Sequence, residues 1–436
     1  MQAMNVGLLG TGNVGGGVVQ VLARNGEEIT RRAGRPIRIS VAAARHLDKA
    51  RGVVGEQCLL TDDPFVVVND PEVDIVAELI GGDTLSCELA LAAINNGKHL
   101  VTANKALLAL HGNDIFSAAQ AKGVMVGFEA AVAGGIPIIK ALREGLSANR
   151  IQWVAGIING TTNFILTQMR EQGLSFKQAL QAAQRLGYAE SDPTFDIDGT
   201  DAAHKATLLA SIAFGIPINF DAAYVEGIST LEARDINYAE QLGYRIKLLG
   251  IARHRGHGVE LRVHPTLIPE SRLIANVAGA MNAVLVQADA MGPTLYYGQG
   301  AGAEPTASAV IADLVDVTRM ATADPGNRVP HLAFQPDQLH DVPILPMGET
   351  ESAYYLRLCV SDRPGVLAEV AHLLAEEQVS IGAVQQREPL DGAGSTDLVI
   401  LSHVCQEARI MAAISKINGL PSVECPLTWL RMEELK

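Results

Sequence analysis

Residues 5–9 form a short apolar run that breaks into Gly10-Thr11-Gly12-Asn13-Val14-Gly15, and a second apolar stretch follows at 18–22. No feature of the chain constrains its fold more. A strand, a glycine turn and a helix in that order open a doubly wound sheet whose first turn cradles a dinucleotide. Gly10 permits the tight turn, Gly12 lets the backbone approach a pyrophosphate, and Gly15 lets helix pack close on strand. Thr11, Asn13 and Val14 complete the candidate cofactor-binding turn.

The next strand, 37–44, ends at Arg45 and His46 rather than at an acid that would hold a ribose 2′-hydroxyl. An arginine there suits a 2′-phosphate, which favours NADP over NAD with dual use allowed. Strands at 75–80 and 99–102 alternate with a helix at 86–95 and end in Gly81-Gly82-Asp83-Thr84 and Ala103-Asn104-Lys105. In an open parallel sheet the ligand lies beyond the carboxyl ends of the strands, so Thr84 and Lys105 are expected near the nicotinamide. A further strand, 124–129, leads into the loop 130–137, which carries several potentially free carbonyls.

From about residue 150 the pattern changes. A strand over 151–158 passes through Asn159-Gly160-Thr161-Thr162-Asn163 into a helix, and a second helix over 176–186 runs into AQRLGYAESDPTFDIDGTDAAHK. That stretch carries the carboxylates Glu190, Asp192, Asp196, Asp198 and Asp201, set among turn formers, and closes on Lys205. Asp201 and Lys205 stand four apart, on one face of the helix that starts there. The residues after Lys205 are apolar, so the pair is expected to be buried, and a buried lysine has the movable pKa that general acid–base chemistry requires. Asp192, Asp196 and Asp198 are expected to shape and cap the loop.

With 436 residues, 48% of them hydrophobic and 19% charged, the chain is expected to form two or three packed domains. A net charge of −14 argues against a nucleic-acid partner or an anionic membrane surface. Five cysteines without CxxC spacing read as reduced thiols, no leader-like segment opens the chain, and the longest apolar run, 206–220, is broken by Gly215 and Pro217. A cytoplasmic protein without membrane spans is expected. His254 and His257 flank a surface turn and make a poor zinc site.

A proline-rich stretch, 324–351, reads as a linker. Beyond it the pattern is β-α-β-β-α-β: strand 354–360, a turn at Asp362-Arg363-Pro364-Gly365, helix 366–375, strands 379–386 and 396–402, helix 408–417 and strand 423–430. The segment DRPGVLAEVAHLLAE resembles the opening of an ACT module. That resemblance implies an amino-acid ligand held at the turn formed by Asp362, Gly365 and Val366.

The acidic stretch resembles the signature of homoserine dehydrogenases, with an Asp-Pro, then Asp-x-x-Gly-x-Asp and a lysine at fixed spacing. GLLGTGNVG, VTANKALL, FEAAVAGGIPII, GIINGTTNFIL and GQGAGAEPTASAVIADL resemble that family's segments in the same order, covering about residues 4–320. The resemblance implies interconversion of L-homoserine and L-aspartate 4-semialdehyde with NADP or NAD, on the route to threonine and methionine. It implies that Lys205 and Lys105 are the catalytic lysines, that Asp201 holds substrate and orients Lys205, and that Glu190 meets the substrate ammonium. It also implies a monovalent cation, sodium, on the loop of Glu129, Val132, Gly134 and Ile136, held largely by backbone carbonyls. Glu304 is expected to approach the nicotinamide, and L-threonine is the expected effector.

The expected architecture is α/β. A Rossmann-type nucleotide-binding domain spans 1–140 and is completed by a returning helix near 305–320. An α+β substrate-binding, catalytic and dimerisation domain spans 141–304, and an ACT-like βαββαβ regulatory domain spans 352–436. A homodimer or homotetramer is expected, and with no kinase-like segment before residue 1 the unfused form is expected. Two rival readings are a non-catalytic amino-acid sensor and an oxidoreductase of another small amino alcohol.

Overall fold

The computed structural model describes residues 2–386 and 394–436. Its first layer is an all-parallel sheet in the order β3-β2-β1-β4-β5-β6, built from β1 (Met4–Leu9), β2 (Ile37–Ala43), β3 (Leu59–Thr61), β4 (Ile75–Glu78), β5 (His99–Thr102) and β6 (Val126–Gly127). Helices α1 (Asn13–Ala33), α2 (Leu47–Val54), α3 (Pro64–Asn69), α4 (Thr84–Asn95) and α5 (Lys105–Lys122) make the crossovers. This is the doubly wound order of dinucleotide-binding folds, and β1 and β4 are wholly buried because helices cover both faces.

The glycine turn is built as its spacing predicts. Gly10 has φ 96°, and a Cβ on Gly15 would fall 2.0 Å from the Gly10 carbonyl oxygen, so only glycine lets α1 approach β1 there. The expected strand over 124–129 shortens to Val126–Gly127. Phe128 closes a 3-10 turn over Glu129–Ala131, because the Glu129 carboxylate turns inward to accept the N–H groups of Ile139 and Lys140, each at 2.8 Å. Those amides open α6 (Ile138–Lys140).

The second layer is an eleven-stranded mixed sheet. Its central path runs β12-β11-β7-β9-β10-β17-β13-β15-β14, through β7 (Ile151–Ile157), β9 (Tyr244–Arg255), β10 (Gly258–Pro269), β11 (Met281–Ala288), β12 (Gly292–Gln299), β13 (Glu351–Ser361), β14 (Ile381–Gln386), β15 (Ser395–Ser402) and β17 (Thr428–Met432). The short strands β8 (Tyr224–Val225) and β16 (Cys405–Gln406) pair with β10 and β13. Helices α7 (Gly160–Gln172), α8 (Phe176–Arg185), α9 (Thr194–Ile197), α10 (Thr200–Phe214) and α11 (Ala233–Gln241) belong to the middle region. Helix α12 (Ala303–Met320) returns to the first layer against α1, and a Cβ on Gly17 would lie 2.6 Å from the Ala303 carbonyl. Helix α10 is apolar nearly all round and runs through the core, so its few polar residues are carried inside with it.

Helices α13 (Val366–Glu376) and α14 (Glu407–Asn418) complete the β-α-β-β-α-β module, whose last strand starts later than the sequence pattern suggests. That strand, β17, joins two lobes: it runs parallel to β10 and antiparallel to β13. Buried arginines close the joint. Arg431 donates to Glu407, to Glu226 at 2.8 Å and to the Tyr224 hydroxyl at 3.0 Å. Arg357 donates to Asp235, and Arg262 to Glu433 and Glu260. The proline-rich stretch packs against the body: His331 stacks on Phe116, Leu332 is buried, and Val259 and Leu345 exchange backbone bonds with 343 and 259.

Stripping one member from such a buried cluster leaves its counter-charges unpaired, which costs roughly 3–5 kcal/mol. Arg431→Met should destabilise the protein by about that amount in chemical denaturation, and Arg431→Met with Glu407→Met should recover a large part of it.

Candidate active site

A cleft of about 970 Å³ opens between the two layers, and the expected site residues Asn13, Val14, Lys105, Gly134, Glu190, Asp201 and Lys205 all line it. Its floor is set by the start of α10. Gly199, at φ 92°, turns the chain into the helix, and the Asp198 carboxylate accepts the Thr200 N–H at 2.9 Å. Asp201 then sits in the first turn, where the helix dipole favours an anion, and Lys205 one turn on.

Asp201 is buried and its two oxygens are divided between two lysines. Oδ2 accepts from Lys205 Nζ at 2.6 Å, and Oδ1 lies 3.2 Å from Lys105 Nζ. Burial alone would raise the Asp201 pKa, but both ammonium groups and the amide of Asn159, at 2.8 Å, outweigh it and hold the carboxyl at about 2. Lys205 also donates to the Ile158 carbonyl at 2.8 Å. Burial, assisted by repulsion from Lys105, pulls its pKa below the ordinary lysine value against the attraction of Asp201. Among the described residues this arrangement is suited to passing a proton at an oxygen placed beside both lysines.

Lys105 reaches the site from the other layer. Asn104 caps α5 by accepting the Leu107 N–H and donates to the Gly82 carbonyl, while Glu78 ties the tips of β4 and β5 by accepting from Ile80, Gly81, Ser86 and Thr102. The Lys105 ammonium also lies 5.7 Å from the centre of the Phe195 ring.

Asp192 accepts from Thr194 and caps the loop as expected, and so does Asp198. Asp196 differs: it accepts from Asn159 Nδ2 at 2.7 Å, and burial raises its pKa, so it belongs to the site network. Asn159, expected only in the passage from strand to helix, caps α7 through the Thr162 N–H, and its second duty as a bridge between two acids has no local signature. Arg45, Thr84 and Glu304 stand away from the cleft wall. Arg45 is exposed beyond β2, Thr84 starts α4 behind Asp83, and Glu304 forms a bidentate pair with Arg24, at 2.9 and 2.8 Å, on the face shared by α12 and α1.

The residues fit the groups the fold implies. A Cβ on Gly12 would meet nothing within 4 Å, and α1 has no side-chain cap, so its first amides are free for phosphate. At the 129–136 loop Ala133 and Gly134 have positive φ, and no described N–H bonds to the carbonyls of Val132 or Gly134. The Glu129 side chain is already committed to Ile139 and Lys140, and burial beside Asp313 raises its pKa to about 7; its backbone oxygen accepts the Val132 N–H at 3.4 Å and the Ile136 carbonyl accepts the Ile138 N–H at 2.8 Å. In the C-terminal module Asp362 and Gly365 are exposed, Gly365 has φ 97°, and the N-terminus of α13, starting at Val366, has no side-chain cap. Among the described residues no helix is long and apolar enough to cross a membrane, and no cluster of three or more His, Cys, Asp or Glu is placed to hold a metal.

A doubly wound sheet with an open phosphate turn, facing a buried lysine–carboxylate cluster, defines an NAD(P)-binding oxidoreductase with an appended ACT domain. Sequence profiles match for the homoserine dehydrogenase NAD-binding domain over 10–129, the homoserine dehydrogenase domain over 137–315 and the ACT domain over 354–421. The chain is 59% identical to a homoserine dehydrogenase of Pseudomonas aeruginosa and 58% identical to one of Neisseria gonorrhoeae, with all of each chain covered. A solved homoserine dehydrogenase from Thiobacillus denitrificans superposes with a TM-score of 0.96 at 64% identity, covering 100% of this chain and 99% of that one. The chain belongs to the homoserine dehydrogenase family.

Asp201→Asn should move the acid limb of the oxidation pH profile to lower pH, because the carboxylate that raises the Lys205 pKa is gone while burial still lowers it. It should also remove the stability that Asp201 contributes above its unfolded pKa and loses as pH falls through about 2, its folded value. A kcat/KM profile and acid titrations of both proteins measure the two effects.

Proposed function

We propose that the chain interconverts L-homoserine and L-aspartate 4-semialdehyde, on the route to threonine and methionine, with NADP preferred to NAD. The observation that carries this reading is the single buried carboxylate of Asp201 held between Lys205 and Lys105. In the oxidative direction Lys205 Nζ takes the proton from the substrate's hydroxyl oxygen, and in reduction it returns it. Lys105 lies on the opposite side of Asp201 and stabilises negative charge developing on that oxygen. Glu190, at the rim of the cleft, takes the substrate ammonium. The free amides at the Gly10–Gly15 turn hold the dinucleotide diphosphate, which when bound supplies the nicotinamide that exchanges hydride with the substrate carbon. Arg45, free beyond β2, is the residue for a 2′-phosphate, and the carbonyls of the 129–136 loop suit a sodium ion.

The ACT module is read as the site of feedback by L-threonine, bound at Asp362, Gly365 and Val366. What supports this is a chain of contacts from the module's last strand towards the active site. Arg431 holds Glu226, the Glu226 N–H bonds Val263, the Ile228 N–H bonds the Ile197 carbonyl at 2.9 Å, and Ile197 lies four residues before Asp201. For the expected homodimer or homotetramer, β12 and β14 stand at the two ends of the long sheet among the described residues, where assembly could extend it.

Steady-state homoserine oxidation with NADP+ and NAD+, each with and without millimolar-scale L-threonine, tests all three parts. Faster turnover of serine or threonine than of homoserine would overturn the substrate assignment, and kinetics unchanged by threonine would overturn the feedback. Lys205→Ala should lower kcat by about 10²–10⁴ while dinucleotide binding, followed by calorimetry, stays within a few-fold of the parent.

A further inference from the structure

Asn282, the second residue of β11, is 1% exposed, and neither its Nδ2 nor its Oδ1 has a hydrogen-bond partner. No other side chain among the described residues has two orphaned polar atoms. It lines the same cleft as Lys105, Asp201 and Lys205. The amide is wedged between two glycines: a Cβ on Gly300 would fall 1.9 Å from Nδ2, and one on Gly160 would lie 3.5 Å from Oδ1.

The segment before it is pinned. Asn163 Nδ2 donates to the carbonyls of Val277, Gly279 and Met281, and the buried Lys247 ammonium donates to Asn163 Oδ1 and the Val277 carbonyl. The backbone that leads into Asn282 is therefore held in place. Folding fixes in the cleft wall a group that has lost water and gained nothing, which is costly unless something else satisfies it.

We propose that Asn282 is a ligand-reading residue, whose amide is completed by a group offering a donor and an acceptor side by side. On the functional reading above, two sources carry that chemistry: the carboxamide of the nicotinamide ring, and the ammonium–carboxylate end of the amino-acid substrate. A bound ligand that reaches the amide satisfies both atoms with fixed geometry.

Asn282→Leu keeps the shape and removes both polar atoms. The unliganded variant should melt at or above the parent temperature, because an unpaired buried amide is gone, whereas a residue with a purely structural role would melt lower. Calorimetry of NADP+ and of its 3-acetylpyridine analogue, in which the ring NH2 is a methyl, separates the sources. If the carboxamide is the partner, the parent binds NADP+ at least tenfold more tightly than the analogue and the variant loses that preference. If the amino-acid end is the partner, dinucleotide binding is unchanged and KM for homoserine rises tenfold or more with kcat altered far less. Asn282→Asp, of the same shape but only an acceptor, should lose affinity on the same arm and serves if the leucine variant does not fold. Parent-like values for NADP+, the analogue and homoserine in a folded variant would overturn the proposal. A parent that binds dinucleotide but does not oxidise homoserine would overturn the substrate assignment alone, leaving the dinucleotide arm to decide Asn282.

Discussion

Two lysines share one carboxylate. Lys205 comes from the same helix as Asp201 and Lys105 from the other layer, so a single buried anion links the nucleotide-binding sheet to the second layer. Charges taken out of water attract strongly but cost much to desolvate, and the arrangement holds only because hydrogen bonds satisfy what the ion pairs do not. Asn159, the Ile158 carbonyl and the dipole of α10 provide that support. The cluster also divides the charge. Two ammonium groups face one ionised carboxylate, with a second acid, Asp196, held above its usual pKa nearby, so on the proposed mechanism a developing alkoxide would find net positive charge without a mobile counter-ion.

Much of this was legible in the sequence because it is local. The glycine turn states its own geometry, the alternation of strands and helices states the parallel sheet, and the four-residue step from Asp201 to Lys205 states that both share a helix face. What escaped is long-range. Glu129 reads as the end of a strand, yet its carboxylate caps a helix ten residues later, which cuts that strand to two residues. Asp196 reads as a loop acid like Asp192 and Asp198, and only its contact with Asn159, 37 positions away, places it in the site. Glu304 sits in a glycine-rich segment that suggests a cofactor contact, while Arg24, 280 positions earlier, holds it on the helix surface. Asn282 carries no motif at all; its meaning lies in the partners it lacks.

The ACT module is not hung on a flexible tether. Its final strand is part of the same sheet as β10, and the arginines that seal the joint are among the most buried large side chains in the protein. Ion pairs this deep contribute less to net stability than equally buried apolar groups would, but they tolerate only one registration of the lobes. A displacement of β13 or β17 is therefore felt at Glu226 and Asp235, within the homoserine dehydrogenase domain.

That seam also bears on how the chain is made. β10 leaves the ribosome more than 150 residues before β17, and until residues 428–432 emerge its edge at Thr266 and Leu267 has no partner. Exposed edges of long strands recruit other chains, and nascent proteins guard them with inward-pointing charge. β10 carries such a guard. Glu260, Arg262, His264 and Thr266 alternate along one of its faces, polar groups that bond one another and that a stray apolar strand could not extend, whereas Glu433, arriving last, completes Arg262. The charges that lock the finished sheet are the same ones that keep the unfinished one from pairing with the wrong neighbour.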